Sequence, residues 1–323
     1  GGTFNSEKKQ DAATVALSFP TDTVPGSRRA MVQILPGLTS HVVQGMDSLL
    51  KLPGGCFEQT SSSAWPNVLA LKYLKDTEQG TPELEMKAMQ YVNAGYQRIL
   101  TFECPSGGFN WWQGDATGNV ILTAFGMMML RDTQAVYNAV DDLVIDRAFR
   151  FLTSRQQSDG SWGEDRHLHA GNENLGAGQL RSTCYISWAL GASGYADTPE
   201  GKKATAFIQK NIGGEEDLYT LGICVNALAT AGAGDAAMGD AIDRIAGKAT
   251  TDGDRIHWEP KGMTLVNSGG IAAQVEVTAL MALAYMGAKR NLSDVPKIVD
   301  WLAASKDAQG NWGYNTQATV LAL

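Results

Sequence analysis

A short turn that combines glycine with a large aromatic residue occurs four times in this chain and constrains its fold more than any other feature. The first two copies are Ser106-Gly107-Gly108-Phe109-Asn110-Trp111 and Ser158-Asp159-Gly160-Ser161-Trp162-Gly163. The later two are Asp252-Gly253-Asp254-Arg255-Ile256-His257-Trp258 and Ala308-Gln309-Gly310-Asn311-Trp312-Gly313. Glycine can adopt the left-handed backbone of a tight turn, and the aromatic side chain can fill the space between neighbouring elements. The chain therefore reads as a series of similar units of about fifty residues, with one longer interval in the middle.

The segments between these turns have helical periodicity. Apolar residues recur every three or four positions, as on the buried face of an amphipathic helix. This pattern predicts helices in Glu83–Leu100, Val120–Leu130, Leu143–Leu152, Ser182–Leu190, Ala204–Ile212, Leu218–Ala229, Val275–Met286 and Val295–Ala304. Two helix starts carry a capping threonine followed by proline and glutamate, at Thr81-Pro82-Glu83 and Thr198-Pro199-Glu200.

Repeated helical hairpins bury their apolar faces only by stacking on further copies of themselves. We therefore predict an all-α fold, an α/α toroid of about six hairpins whose helices form an inner and an outer ring. Closure of the ring would make residues 37–323 one domain. An open α-solenoid is the alternative, although the sequence contains no evident polar capping repeat.

Residues 1–36 have a different pattern. Thr14–Phe19 and Arg29–Leu35 are apolar or alternating, and Pro20, Pro25 and Gly26 lie between them. Runs of this kind around turn residues are typical of strands. We predict a short N-terminal β segment that is separate from the toroid.

The composition excludes several classes of function. A net charge of −8 argues against a nucleic-acid partner, because proteins that bind phosphate backbones usually present a basic face. The longest uncharged apolar stretch, Ile121 to Leu130, is too short to span a bilayer. The chain has neither a phosphate-binding loop nor a paired set of metal ligands, so we expect no cofactor and no metal.

The four cysteines are widely spaced, and none forms a C-x-x-C pair, which argues against a zinc ribbon or a thioredoxin-type site. Cys184 and Cys224 fall in apolar helical runs and are interpreted as small core residues. Whether Cys104 forms a disulfide stays open.

Cys56 has a different context, because it lies three residues before Gln59 in Pro53-Gly54-Gly55-Cys56-Phe57-Glu58-Gln59-Thr60. A cysteine thiolate can attack the side-chain carboxamide of a glutamine held against it and expel ammonia, which leaves an internal thioester. A thioester is an acyl donor because its resonance stabilisation is weak. Gly55 would let the backbone fold tightly enough for the two side chains to meet. The alternative is a buried thiol beside a polar helix start.

The segment from Gly55 to Gln59 resembles the Gly-Cys-x-Glu-Gln motif in the thioester-containing domain of the alpha-2-macroglobulin and complement family. The flanks are similar to the family as well. Ser48–Pro53 resembles a helix that ends at a proline before the motif, and Asn93–Arg98 resembles the family segment NTGYQR. Gly313–Thr319 resembles G-F-x-S-T-Q-D-T, with departures at Asn315 and Ala318.

The resemblance implies a function in covalent capture. Cys56 and Gln59 would form the thioester, and a protease lysine amine or a surface hydroxyl would be acylated in a single turnover. The protein would then be an inhibitor-like trap in protease inhibition or innate defence rather than a turnover enzyme. The resemblance also implies an extracellular or periplasmic location and neighbouring macroglobulin-like and CUB-type domains in the same protein. Residues 1–36 would lead from a β-sandwich neighbour, and bacterial and animal subfamilies both stay open.

In the family, one residue in the loop after an aromatic turn governs the choice of acceptor, and a histidine there attacks the thioester to form an acyl-imidazole. Counting back from Tyr185 assigns this role to His169, whereas counting forward from Trp162 points to Ala170. His167 is a second candidate. The third possibility is that both histidines are exposed loop residues that titrate near neutral pH.

Other polar residues are expected to be structural. Glu58 would accept backbone hydrogen bonds, with a role as catalytic base as the alternative that makes it a secondary site candidate. Thr60 to Ser63 would offer capping oxygens to the helix that follows the motif. His257, next to Trp258, would belong to its aromatic turn.

Two functions of other classes compete with covalent capture. Phe151–Trp162 resembles the Q-W repeat of triterpene cyclases, but those toroid enzymes need a D-x-D-D acid that this sequence lacks. Prenyltransferase β-subunits share the toroid and need an Asp/Cys/His zinc set that cannot be assembled here. The other alternative is a non-reactive binding module that a receptor recognises.

Overall fold

Helices make up most of the part of the chain that the structure, a computed structural model, describes. That part comprises residues 50–78, 80–163, 178–234, 236–306 and 316–323, together with Thr23, Val24, Gly26 and Trp312. The chain divides into two units, Gly1–Val42 and Val43–Leu323, and nearly all the described residues belong to the second. The strands predicted in residues 14–19 and 29–35 lie outside the described residues.

Eleven α-helices and one β-hairpin occur in the described residues. The helices are α1 (Phe57–Thr77), α2 (Pro82–Leu100), α3 (Val120–Val136), α4 (Asp142–Ser154), α5 (Gln179–Ala192), α6 (Pro199–Asn211), α7 (Leu218–Thr230), α8 (Ala236–Ala246), α9 (Gly270–Ala288), α10 (Val295–Ala304) and α11 (Thr316–Ala322). Strands β1 (Thr250–Asp252) and β2 (Arg255–His257) pair antiparallel between α8 and α9. The third of the glycine–aromatic turns is therefore a hairpin.

The order of helix contacts is cyclic. Each odd-numbered helix packs against the next odd-numbered helix, from α1 through α9 to α11, and α11 packs back against α1. Each even-numbered helix packs against the odd-numbered helix that precedes it. The all-α prediction is confirmed, and this contact order is the one that an inner and an outer ring require. The described residues form five hairpins and the further inner helix α11.

The sequence of each helix matches its place in this order. Among the inner helices, α3, α7 and α9 are apolar almost all round and bury most of their residues. The outer helix α4 instead buries one stripe, formed by Val144, Ile145, Ala148, Phe151 and Leu152, and leaves its other face to solvent. Helix α9 is long and apolar enough to qualify as a membrane span by composition, but 67% of the qualifying window is buried inside the fold, as in a core helix.

Tryptophans in three of the aromatic turns cap the end of an outer helix. The indole Nε1–H of Trp162 donates to the Leu152 carbonyl near the end of α4, at 2.7 Å. Trp258 and Trp312 bond in the same way to carbonyls of α8 and α10, at 2.8 and 2.7 Å. The last carbonyls of a helix have no partner within the helix, so each indole satisfies one of them while its ring fills the core.

The same turns are bonded to the next inner helix. The backbone N–H groups of Phe109, Trp162 and Trp258 donate to threonine hydroxyls at 2.9 to 3.1 Å, namely those of Thr123 in α3, Thr183 in α5 and Thr278 in α9. Phe109, Trp162, Trp258 and Trp312 are at most 3% exposed, which confirms that the turn aromatics fill the seams between helix pairs.

Two expectations from the sequence need correction. Helices α8 and α11 were not among the helices predicted from periodicity, and a glycine- and alanine-rich segment precedes α8. Cys184 and Cys224 are buried, as predicted for core residues, but they are joined in a disulfide between α5 and α7. The two helices are neighbours only in the folded ring, so periodicity along the chain could not show the pairing.

Cys56 and Cys104 are free thiols. Burial, with smaller contributions from Asp115 and Glu103, raises the pKa of Cys104 to about 11. The question left open for Cys104 is therefore answered: it is a buried, unreactive thiol.

Candidate functional site

Cys56 and Gln59 occupy the two ends of a capping box at the N-terminus of α1. Cys56 is the N-cap residue, with an extended backbone at φ −70° and ψ 179°. The backbone N–H of Gln59 donates to the Cys56 sulfur, and the backbone N–H of Cys56 donates to Gln59 Oε1 at 3.3 Å. Such reciprocal bonds are typical of a serine or threonine cap with a glutamate or glutamine three residues later. Here they hold a thiol and a carboxamide side by side over the first turn.

Gly55 is required for this arrangement. Its φ is +88°, in the region that side chains of L-residues rarely adopt. A Cβ atom at this position would lie 2.1 Å from Gln59 Oε1 and 3.0 Å from Gln59 Cδ. The absence of a side chain at residue 55 therefore leaves the space that the Gln59 carboxamide fills. Cys56 is buried, whereas Gln59 is exposed, so the carboxamide carbon can be reached from solvent.

The polar residues after the motif do not cap the helix, in contrast to the expectation for Thr60 to Ser63. Ser61 donates to the Phe57 carbonyl at 2.7 Å and Ser63 donates to the Gln59 carbonyl at 2.6 Å, as hydroxyls inside a helix commonly do. Glu58 accepts a hydrogen bond from the side chain of Ser62 at 3.0 Å. The cap is provided by the motif itself.

The segment that leads into the motif is not helical. Residues from Leu50 to Gly54 have no helical structure, so the expected helix ending at Pro53 is wrong for these residues. A residue before proline is disfavoured in the helical conformation. Asn67 in α1 holds the segment in place, because its amide accepts from Lys51 N–H at 3.1 Å and donates to Lys51 O at 2.9 Å.

Two neighbouring elements support the motif. Gly95 in α2 lets this helix approach α1 closely, since a Cβ there would lie 2.7 Å from Ala64 Cβ. The backbone N–H of Phe57 donates to the Trp111 carbonyl at 3.0 Å, which joins the first turn of α1 to the first aromatic turn. Arg98, also in α2, bonds to Gly55 and Thr60 on either side of the motif. In the sequence, Arg98 is noted only as part of the segment Asn93–Arg98, which resembles the family, and no role was predicted for it.

The inner side of the motif borders a cavity of about 40 Å³. Glu58 lines it together with Trp65, Tyr185, Trp188 and Tyr219. Nearby, Glu276 of α9 is fully buried and accepts a short hydrogen bond from Ser268, and burial raises the pKa of its carboxyl to about 7. The pKa values of Tyr185 and Tyr219 are raised, first by burial and then by Glu276. The interior beside the motif is therefore apolar and contains one buried acid, whose pKa is raised.

The histidine candidates cannot be placed. His167 and His169 belong to residues 164–177, which lie outside the described residues. The role suggested for them stays a prediction. His257, in contrast, is buried in its aromatic turn, where its ring stacks on Trp301 at 4.7 Å with an angle of 6° between the planes. A structural role for His257 agrees with these contacts.

A comparison with protein-family models adds to this geometry. The model of the A-macroglobulin TED domain matches residues 29–323, which include the whole of the motif and every described helix. The match covers well over half of the chain, and the helical architecture agrees with it. The chain belongs to the A-macroglobulin TED domain family, the thioester-domain module of macroglobulin-like proteins.

Proposed function

We propose that this domain captures target molecules covalently through an internal thioester between Cys56 and Gln59. The observation that carries the proposal is the reciprocal capping box, in which each of the two residues bonds to the backbone of the other. Attack of the Cys56 sulfur on Gln59 Cδ forms the S–C bond and breaks the bond from Cδ to Nε2. The nitrogen leaves as ammonia and takes the thiol proton.

Capture of a target is a second attack on the same carbon, Cδ of residue 59. A nucleophile of the target attacks Cδ of residue 59, the C–S bond breaks, and the proton of the nucleophile passes to the sulfur. The target remains attached by an amide or an ester, and Cys56 becomes a free thiol. Each domain reacts once, so the activity is that of a trap rather than of an enzyme.

The family membership supports a role for this trap within a larger macroglobulin-like protein. The targets would be proteases, through lysine amines, or surfaces that present hydroxyl groups. Neighbouring macroglobulin-like and CUB-type domains would shield the thioester until it is needed, in an extracellular or periplasmic setting. Protease inhibition in host or cell defence is the process that fits this chemistry.

The first test is the intact mass of the purified chain under non-reducing conditions, before and after methylamine. The encoded mass is calculated with the Cys184–Cys224 disulfide formed, which removes two hydrogens. We expect a mass one ammonia below this value, then an increase by one methylamine with release of one thiol. Cys56→Ala should abolish both changes. Cys104→Ala, which removes the other free buried thiol, is the matched control and should leave them intact. A wild-type mass equal to the encoded mass would overturn the proposal and favour a non-reactive binding module.

A second test concerns His169. If its imidazole attacks the thioester and passes the acyl group to hydroxyls, His169→Ala slows ester formation with glycerol much more than amide formation with methylamine. His167→Ala is the matched control. Equal slowing of both reactions by His169→Ala would show that residue 169 has no acyl-transfer role, and selective slowing by His167→Ala would assign the role to that residue.

A further inference from the structure

Arg98 makes contacts with both sides of the Cys56–Gln59 motif. Its Nη2 donates to the Gly55 carbonyl at 2.7 Å, and its Nε donates to Thr60 Oγ1 at 3.1 Å. Thr60 Oγ1 in turn donates to the same Gly55 carbonyl at 3.3 Å. The guanidinium lies 5.8 Å from the centre of the Phe102 ring, which limits its movement. One side chain from α2 thus fixes the residue before Cys56 and the residue after Gln59.

The Gly55 carbonyl and the Cys56 N–H belong to one peptide group. Arg98 bonds to the oxygen end of this group, and the N–H end donates to Gln59 Oε1 at 3.3 Å. A cation at the oxygen of a peptide draws electron density away from its nitrogen, and hydrogen bonds in such a series strengthen one another. The Cys56 N–H is therefore a stronger donor, and its direction is fixed by a planar, bidentate side chain.

The oxygen that accepts this bond is the one that gains charge during the reaction. When Sγ attacks Gln59 Cδ, Oε1 becomes the oxyanion of the tetrahedral intermediate. When an amine later attacks the thioester, the same oxygen becomes an oxyanion again. A preorganised backbone N–H at such a position is the usual device for stabilising acyl-transfer intermediates. The Cys56 N–H also lies at the positive end of the 21-residue helix α1.

We infer that Arg98 is a positioning residue for the thioester chemistry, acting through the Gly55–Cys56 peptide group on the oxyanion at Gln59. The inference rests on the proposed function. In cleavage by methylamine, the N–C bond to Cδ forms, the C–S bond breaks, and the amine proton passes to the Cys56 sulfur. Arg98 exchanges no proton or electron in this step.

The experiment compares wild type, Arg98→Met and Arg98→Lys. The methionine variant keeps an unbranched apolar side chain similar to the aliphatic part of arginine but removes the charge. The lysine variant keeps the charge but lacks the planar guanidinium group. Each intact chain is analysed by mass for the thioester, then treated with methylamine while thiol release is followed in time. Thermal unfolding is measured on the same samples. Removal of a direct oxyanion donor costs roughly a hundredfold to a thousandfold in rate, so loss of an indirect contribution should slow the reaction about tenfold.

Arg181→Met is the matched control. Arg181 makes a similar clamp at the start of another inner helix, with Nε on Thr220 Oγ1 at 2.9 Å and Nη2 on Asp217 at 3.0 Å, and its bonded partners lie outside the motif. We expect Arg181→Met to lower the unfolding temperature but to keep the wild-type rate of thiol release. Arg98→Met should be slow, or should lack the thioester while folded, and Arg98→Lys should fall between Arg98→Met and wild type.

The possible results separate this inference from the proposed function. If folded Arg98→Met has the thioester content and the rate of thiol release of wild type, the role of Arg98 is overturned and covalent capture stays intact. If Arg98→Met does not fold, a wild-type rate in Arg98→Lys would have the same meaning, and a slowed rate would support the role. A wild-type chain without any thioester would overturn both.

Discussion

At the scale of single residues, the motif places a thiol and a carboxamide in the positions of an ordinary helix cap. Serine, threonine, aspartate and asparagine are the usual N-cap residues, because a side-chain oxygen accepts a backbone N–H bond. Cysteine at this position keeps the capping geometry but exchanges the oxygen for a nucleophile, and Gln59 completes the box with an electrophile. The pairing needs no strained side chain, only the left-handed glycine before it.

The residue most sensitive to substitution besides Cys56 and Gln59 is Gly55. We predict that Gly55→Ala abolishes thioester formation while the helices fold, because its Cβ would take the place of the Gln59 carboxamide and its φ of +88° would be strained by about 1–2 kcal/mol. Intact mass and thiol titration measure the thioester, and circular dichroism measures the fold.

Gly54→Ala is the matched control, since residue 54 is exposed and a Cβ there would have no atom within 4 Å. This variant should keep the thioester. Normal thioester content in Gly55→Ala would show that the capping box is not the geometry in which the bond forms.

At the scale of elements, two of the aromatic turns bond both to the outer helix before them and to the inner helix after them. The indole of Trp162 caps α4, and its backbone N–H bonds to Thr183 of α5. A single residue therefore ties an outer helix to the next inner helix. Trp258 makes the same two kinds of bond. These shared bonds explain why the sequence of the turn recurs more clearly than the sequences of the helices.

We predict that Trp162→Phe lowers the free energy of unfolding by roughly 1–3 kcal/mol, because the Leu152 carbonyl loses its donor inside the core. Chemical denaturation provides the measurement. Trp112→Phe is the control, because that side chain is 51% exposed, and a change of less than about 0.5 kcal/mol is expected. Equal losses in both variants would contradict the capping role.

At the scale of the whole molecule, the first and last described helices meet. Gln317 of α11 donates to Ser62 of α1 at 2.9 Å, and Ser62 donates to Glu58 beside the motif. Gln317 and Ser62 are 255 positions apart along the chain, so closure of the cycle brings the last helix against the first turns of α1, where the Cys56–Gln59 motif lies. The charge of Glu58 also contributes to the raised pKa of Glu276, after the larger effect of burial.

We predict that this buried acid makes stability depend on pH. The pKa of Glu276 is raised from 4.5 to about 7, so the folded protein binds more protons than the unfolded chain between these values. Its contribution to stability is fully present below pH 4.5, falls as pH rises, and is lost above pH 7, with a total of roughly 3 kcal/mol.

Glu276→Gln should remove this decline, so that the variant gains stability relative to wild type as pH rises from 5 to 8. Denaturation at a series of pH values measures the free energy of unfolding of both proteins. Glu83→Gln is the control, because it removes one carboxylate at an exposed site. Parallel profiles for wild type and Glu276→Gln would contradict a raised pKa at Glu276.

The helical class and the capping box between Cys56 and Gln59 follow from the sequence, because both depend on residues that are close along the chain. Helix periodicity needs three or four positions, and the box between Cys56 and Gln59 needs one turn. Observed helix bounds agree with the predicted ones to within a few residues for most elements, and those of α10 are identical.

Only the tertiary structure decided which distant residues meet. The disulfide between Cys184 and Cys224, the clamp of Arg98 on Gly55, and the bond between Gln317 and Ser62 join residues 40 or more positions apart. No local propensity marks such pairs. They become neighbours because the helices bury their apolar faces against one another in a cyclic order, and that packing is a property of the whole chain.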